Sequence, residues 1–152
     1  MRISEKIEGL FLPRKRMVNR LAEVAADVET LASNLTRHAE MCSYSGIRAS
    51  LSELAAAEAQ QANAIRELLL HEGISLGMHQ KPVKEGSNNW ERLRNDLALQ
   101  SKILRALHSL FSEWSGIDPQ VAERLRECAV EEERRIERLR DLTLRCDPQA
   151  LD

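Results

Sequence analysis

Apolar residues recur along this chain at alternating steps of three and four, and they do so in four separate segments. The first runs Leu21, Val24, Val28, Leu31, Leu35, with His38 continuing the register. The second runs Ile47, Leu51, Leu54, then Ile65 and Leu68; the third Leu93, Leu97, Leu104, Leu107, Phe111, Trp114; the fourth Val121, Leu125, Cys128, Leu139, Leu142. Such spacing lays one apolar stripe along an α-helix, and no strand-like alternation competes with it. The pattern predicts an all-α four-helix bundle as one domain over residues 1–152, with helices at about 13–42, 46–72, 89–115 and 119–146.

The expected boundaries carry residues with physical reasons to be there. Pro13 suits the first turn of helix one, where its missing N–H loses nothing. The short Cys42-Ser43-Tyr44-Ser45-Gly46 segment makes helices one and two an antiparallel hairpin. Gly73 before Ile74 has the form of a left-handed helix stop with its hydrophobic contact, and Gly116 before Ile117 repeats it. Asn88 with Glu91 predicts a capping box for helix three, Asp118-Pro119 an N-cap and preorganised first turn for helix four, and Asp147-Pro148 its end.

One connection is long. Ile74 to Ser87 contains Gly77, Pro82 and Gly86. Helix two is about 39 Å long at 1.5 Å per residue, and an extended link of that size reaches roughly 46 to 50 Å. It is therefore long enough to start helix three at the opposite end, giving two hairpins joined by a crossover. The alternative is a slack loop in a simple up-down-up-down bundle.

The stripes have polar exceptions. After Leu54 come Glu58 and Gln61 before Ile65, and after Cys128 come Glu132 and Arg135 before Leu139. The two helices superpose at a constant offset of 74, Ile47 on Val121 through Leu68 on Leu142, so both interrupt their cores at the same level. Helix three adds Gln100, and an offset of 72 sets it against Val28 of helix one. An arginine between two glutamates there is expected to pair with Glu58, Glu132 or both, with Gln61 and Gln100 satisfying the remaining oxygens, because burying either carboxylate unpaired is costly. The competing reading puts Glu132 and Arg135 on the charged outer face of an arginine-rich helix.

Two hairpins, a crossover, and an interior carboxylate followed three residues later by a second polar group resemble the ferritin and rubrerythrin superfamily. The resemblance spans about residues 14 to 146 and implies a ferritin-like fold. In that family, Glu from helices one and three and Glu-x-x-His from helices two and four hold two metal ions. Carried over by position, Glu58 and Glu132 match the carboxylates of the two motifs. Gln61 and Arg135 stand in the histidine places, Gln100 in the helix three glutamate place, and Val28, or Leu31 one turn on, in that of helix one. The resemblance thus implies a vestigial di-metal site with no metal expected: neutral amides are poor ligands for iron or manganese, valine is none, and arginine repels a cation.

Composition and charge narrow the partners. Aromatic residues make up only 3% of the chain, too few for a typical sandwich or barrel core, and 22 basic against 24 acidic side chains leave no surplus to draw it onto phosphate backbones. Nucleic acid is not an expected partner. No stretch approaches the roughly 18 to 20 apolar residues of a membrane span, nor the apolar run of a secretory signal, so a cytoplasmic protein is expected. Cys42, Cys128 and Cys146 show no CxxC spacing and are expected as reduced thiols, Cys128 a small buried hydrophobe.

His38, His71, His79 and His108 offer no pair at helical spacing. His38 reads as a hydrogen-bonded core residue, His71 as a cation suited to the end of helix two, and His79 as a solvated crossover residue. The basic run Arg14-Lys15-Arg16 with Arg20 reads as a hydrated patch. The preceding Ile7, Leu10, Phe11 and Leu12 want cover, from the bundle end or from a second subunit. Taken together, the expectation is a non-catalytic structural or protein-interaction module without cofactor, self-associating as a homodimer or larger. Two alternatives stand beside it: an iron or manganese oxidase or storage protein using Glu58 and Glu132, and a binder of a small anion or small ligand at Arg135.

Overall fold

The computed structural model describes the backbone of residues 3–74 and 85–148, and side chains from Arg14 onward within those ranges. Four helices make up the fold: α1 (Ile3–Met41), α2 (Ser45–His71), α3 (Asn89–Trp114) and α4 (Pro119–Arg145). Among the described residues α1 packs on α2, α3 on α4, α1 on α3 and α2 on α4, which leaves α1 and α4 on one diagonal and α2 and α3 on the other. His38 meets Asp96, Lys102 meets Asp27 and Arg20 meets Ser109, so α1 and α3 run antiparallel. α2 and α3 are therefore parallel. Glu72 at the end of α2 holds Arg14, whereas Glu85 just before α3 holds Arg37 near the end of α1. The long connection thus joins opposite ends of the bundle, which is the crossover arrangement.

The core is a continuous apolar cluster from Met17 of α1 to Leu142 of α4, with Leu21, Leu31, Leu35, Ile65, Leu107, Leu110, Trp114, Leu125 and Leu139 fully excluded from solvent. In α3 the stripe differs from the expected one. The buried positions are Leu93, Asp96, Gln100, Ile103, Leu107, Leu110 and Trp114, a strict three-four alternation. Leu97, Leu104 and Phe111 are half-buried on its flank. In α2 the stripe leaves Ile65 for Leu69 rather than Leu68. A helix stripe wide enough to touch two neighbours offers leucines on both sides of its centre line, so the leucine pattern alone misplaces that line by one residue.

The helix ends follow local chemistry. Gly73 takes φ +82°, its N–H bonds Leu70 O and the N–H of Ile74 bonds Leu69 O, the pair of bonds of a Schellman stop, with Ile74 packed on the core. Asn88 Oδ1 accepts from Glu91 N at 2.8 Å, but Glu91 reaches back to Ser87 N at 2.8 Å, one residue beyond the usual box. Asp118 Oδ1 accepts from Gln120 N at 3.1 Å and Val121 N at 3.3 Å. Where α1 ends, Arg48 donates from Nε and Nη2 to Cys42 O at 2.9 and 2.7 Å, satisfying a carbonyl the helix leaves open.

Two expected boundaries are corrected. α1 starts ten residues early and passes through Pro13, so that proline is not its first turn. Ile3 to Leu12 hold good helix formers, and Pro13 there forgoes one bond to the preceding turn. Gly116 is not left-handed: Ser115 stays helical and the carbonyl of Trp114 takes the N–H groups of both Ile117 and Asp118. Nothing lies within 4 Å of a side chain added at either glycine. Gly73→Ala is therefore expected to cost roughly 1–2 kcal/mol from backbone strain alone, while Gly116→Ala is neutral or stabilises by up to about 1 kcal/mol through the unfolded chain. Urea unfolding midpoints of the two variants check both signs.

Candidate functional site

The three-four register carries Glu58 and Gln61 of α2, Gln100 of α3 and Glu132 of α4 into the middle of the core, where both glutamates and Gln100 have no exposed surface. Arg135, one turn beyond Glu132, lies at the edge with its side chain 13% exposed and reaches inward. Its Nε donates to Glu58 Oε1 at 2.9 Å and its Nη2 to Glu132 Oε2 at 2.8 Å, so a single guanidinium spans carboxylates from two helices. Gln61 Nε2 donates to Glu132 Oε2 at 2.5 Å; Gln100 Nε2 donates to Glu132 Oε1 at 2.9 Å and to Glu58 Oε1 at 3.2 Å. All five polar residues expected at this level meet, and the outer-face reading of Glu132 and Arg135 is overturned. Val28 and Leu31 of α1 are both fully buried and bring no ligand.

One arginine cannot balance two carboxylates. Burial first, and then the charge and hydrogen bond of Glu132, push the Glu58 carboxyl well above its usual range, against the lowering effect of Arg135. Glu58 Oε2 faces no donor among the described residues. A raised pKa favours the protonated Glu58 acid, the form that leaves one anion against one cation.

A second buried polar pair was not foreseen. Asp96 of α3 is fully buried and lies 2.5 Å from His38 Nδ1 of α1. Burial raises the Asp96 carboxyl, while His38, Arg37 and Asn34 oppose the rise. His38 was read correctly as a hydrogen-bonded core residue; its partner escaped notice because Leu97 beside it looked like the stripe. Asp27, also buried, meets Lys102 Nζ at 3.1 Å, and Glu29 pairs with Arg66 of α2.

Elsewhere, two cations of the basic run, Arg14 and Arg20, are answered within the chain. Arg14 donates to Glu72 and stacks over Trp114, and Arg20 pairs with Glu113, in mid-helix rather than at a helix start. His71, Glu72 and Asp118 bring one ligand-type atom each within 4.8 Å of one another, but Arg14 already occupies Glu72 Oε2 and the α4 amides occupy Asp118 Oδ1. His108 meets Glu133 on the surface. Cys128 is buried in the stripe with its thiol pushed up to about 11 by burial, an inert position as expected. His79 and the side chains of Ile7, Leu10, Phe11 and Leu12 lie outside the described residues. No described helix is long and apolar enough to cross a membrane. No protein-family model matches the sequence, and no curated protein matches it.

Arg135→Met removes the cation from two buried carboxyls and is expected to cost about 3–5 kcal/mol; a loss of a few tenths in chemical unfolding contradicts the buried pairing. Glu58 also sets a pH dependence. Its folded pKa lies above the unfolded one, so its contribution is fully present at low pH and is lost as pH rises through the folded value. Glu58→Gln imitates the protonated acid, and the difference between wild type and this variant in unfolding free energy should shift in favour of the variant as pH rises above the usual carboxylate range.

Proposed function

We propose that this chain is a ferritin-type bundle in which an arginine and a proton have taken the place of two metal ions, and that it serves as a non-catalytic structural or protein-interaction module. The observation that carries this reading is the seat of Arg135 on Glu58 and Glu132 together. In the ferritin and rubrerythrin pattern, four carboxylates and two histidines converge at this level. Here the corresponding donors are two carboxyls, two amides and an arginine. The residues do not fit a pair of divalent cations. The guanidinium already bonds both carboxyls, and the Gln61 and Gln100 amides direct N–H groups at them. No reaction step is derived through a metal.

The small-anion reading draws on a groove of about 190 Å³ between α2 and α4 that Arg135 and Arg124 help to line. It is the weaker one. Three nitrogens of Arg135 already face carboxylates: Nε and Nη2 those of Glu58 and Glu132, and Nη1 that of Glu131 at 3.8 Å. Glu127 and Glu131 also line the groove and repel an anion. Self-association belongs to the proposal on the strength of the apolar Ile7, Leu10, Phe11 and Leu12 in the sequence.

Protein produced in iron- and manganese-supplemented medium should carry less than one metal equivalent per chain by elemental analysis. Two equivalents together with ferrous oxidation activity overturn the proposal. A light-scattering mass of twice the chain or more supports the self-association part, and a monomer mass removes it.

A further inference from the structure

The end of the bundle where α2 stops and α4 starts carries donor groups that the Arg135 layer does not use. His71 is the last residue of α2, Glu72 its C-cap and Asp118 the N-cap of α4, and one ligand-type atom from each lies within 4.8 Å of the other two. Arg14 on Glu72 Oε2 and the α4 amides on Asp118 Oδ1 leave one oxygen of each carboxylate over. Glu72 is the informative member. Its side chain is 6% exposed, and Oε1, the oxygen that Arg14 does not take, is buried and meets no donor among the described residues. A buried carboxylate oxygen without a donor is costly, and a cation beside it removes that cost. His71 is exposed, with no hydrogen bond or ion pair of its imidazole among the described residues.

The backbone holds two of the three in place. Glu72 sits just before the left-handed turn at Gly73, and its N–H bonds Leu68 O at 3.2 Å. Asp118 is held by its cap bonds and by its own N–H on Trp114 O at 2.9 Å. The groups already bonded to the carboxylates act as orienting partners, since a metal-bound carboxylate is itself hydrogen-bonded by its surroundings. Tetrahedral ligands at roughly 2.0–2.1 Å from an ion lie about 3.3 Å apart. The trio must therefore close by up to about 1.5 Å, which is within reach of rotamer changes at the exposed His71 and the half-buried Asp118. Glu72, Asp118 and Arg14 sum to one net negative charge, so a dication is attracted even with the guanidinium present.

We propose that His71, Glu72 and Asp118 bind one zinc ion, which ties the end of the first hairpin to the start of α4 in the second. The ion takes one imidazole nitrogen and one oxygen from each carboxylate, and water completes the tetrahedron. The donor set selects the metal. Magnesium and calcium take all-oxygen shells, so an imidazole counts against them. Among first-row dications, zinc binds a mixed nitrogen and oxygen set more tightly than manganese or iron. The site lies at the bundle end and holds a single ion, so it stands apart from the pair of metals that the Glu58 layer does not fit. In the unfolded chain Asp118 is separated from the other two ligands by more than forty residues. Zinc held by all three therefore binds the docked hairpins in preference to the open chain and stabilises them.

The test titrates zinc chloride into the full chain, stripped of metal with a chelator, desalted and kept reduced. Calorimetry near neutral pH should give one zinc per chain with a dissociation constant below about 100 µM. His71→Ala, which changes an exposed ring, and Asp118→Asn, which keeps an oxygen for the cap, should each weaken binding at least about tenfold. Glu58→Gln should leave it unchanged. At a hundredfold excess over the dissociation constant, zinc should lower the unfolding constant of the wild type about a hundredfold, read as a higher urea midpoint that His71→Ala does not show. Absence of binding up to about 1 mM, binding undiminished in His71→Ala and Asp118→Asn, displacement by equimolar magnesium or calcium, or a wild-type midpoint that zinc does not move overturns the proposal. Zinc lost in Glu58→Gln but kept in His71→Ala puts the ion in the buried layer, which overturns it as well and counts against the metal-free reading of that layer. Should Asp118→Asn fail to fold, His71→Ala still decides, because its ring supports nothing in the bundle.

Discussion

The middle of this bundle depends on one guanidinium set between two carboxyls that have no access to water. Two divalent cations at such a level call for a cage rich in carboxylates, whereas a single arginine calls for one net negative charge. The residues around it follow that lower demand. Gln61 and Gln100 add hydrogen bonds without adding charge, burial pushes the Glu58 carboxyl towards its protonated form, and α1 contributes only apolar side chains at Val28 and Leu31. Any further carboxylate at this level is left without a counter-charge, and burying one that way is far more costly than burying an amide.

The central layer also fixes how the halves fit. Glu58 and Gln61 come from the first hairpin, Gln100, Glu132 and Arg135 from the second. His38 with Asp96 and Asp27 with Lys102 repeat the device between α1 and α3 at other levels. Apolar packing between leucine-rich helices tolerates a slip of one turn with modest loss. These polar pairs do not, since a slipped register leaves buried charge against methyl groups. The polar core contributes specificity of register, while the apolar stripe contributes most of the driving force.

Much of this was legible in the residues. Four stripes, their caps at Asp118 and Gly73, and the shared interruption at Glu58 and Glu132 all follow from periodicity and local chemistry, and Arg135 between two glutamates already implied its partners. What escaped was of two kinds. Asp96 was hidden because Leu97 next to it satisfies the same pattern, and a one-residue choice of stripe decides whether a carboxylate is inside or out. The gap that Cys42 and His38 share with Cys146 joins residues about a hundred positions apart through the docking of two hairpins, and spacing along the chain carries no signal of it. Gly116 and Pro13 misled for the opposite reason: each has a strong local preference that the neighbouring residues override.

The crossover has a consequence for assembly. Each hairpin closes through a turn of three or four residues, Cys42 to Tyr44 and Ser115 to Asp118, so its contacts are local and form early. The Glu58 layer is shared between hairpins, and until they dock its charges remain in water. Docking must then strip water from two carboxyls and a guanidinium together. Burial raises the Glu58 carboxyl of the finished bundle above its value in the unfolded chain. At any pH between those two values, joining the two halves takes up hydrogen ion, so the docking of the hairpins is itself coupled to acidity.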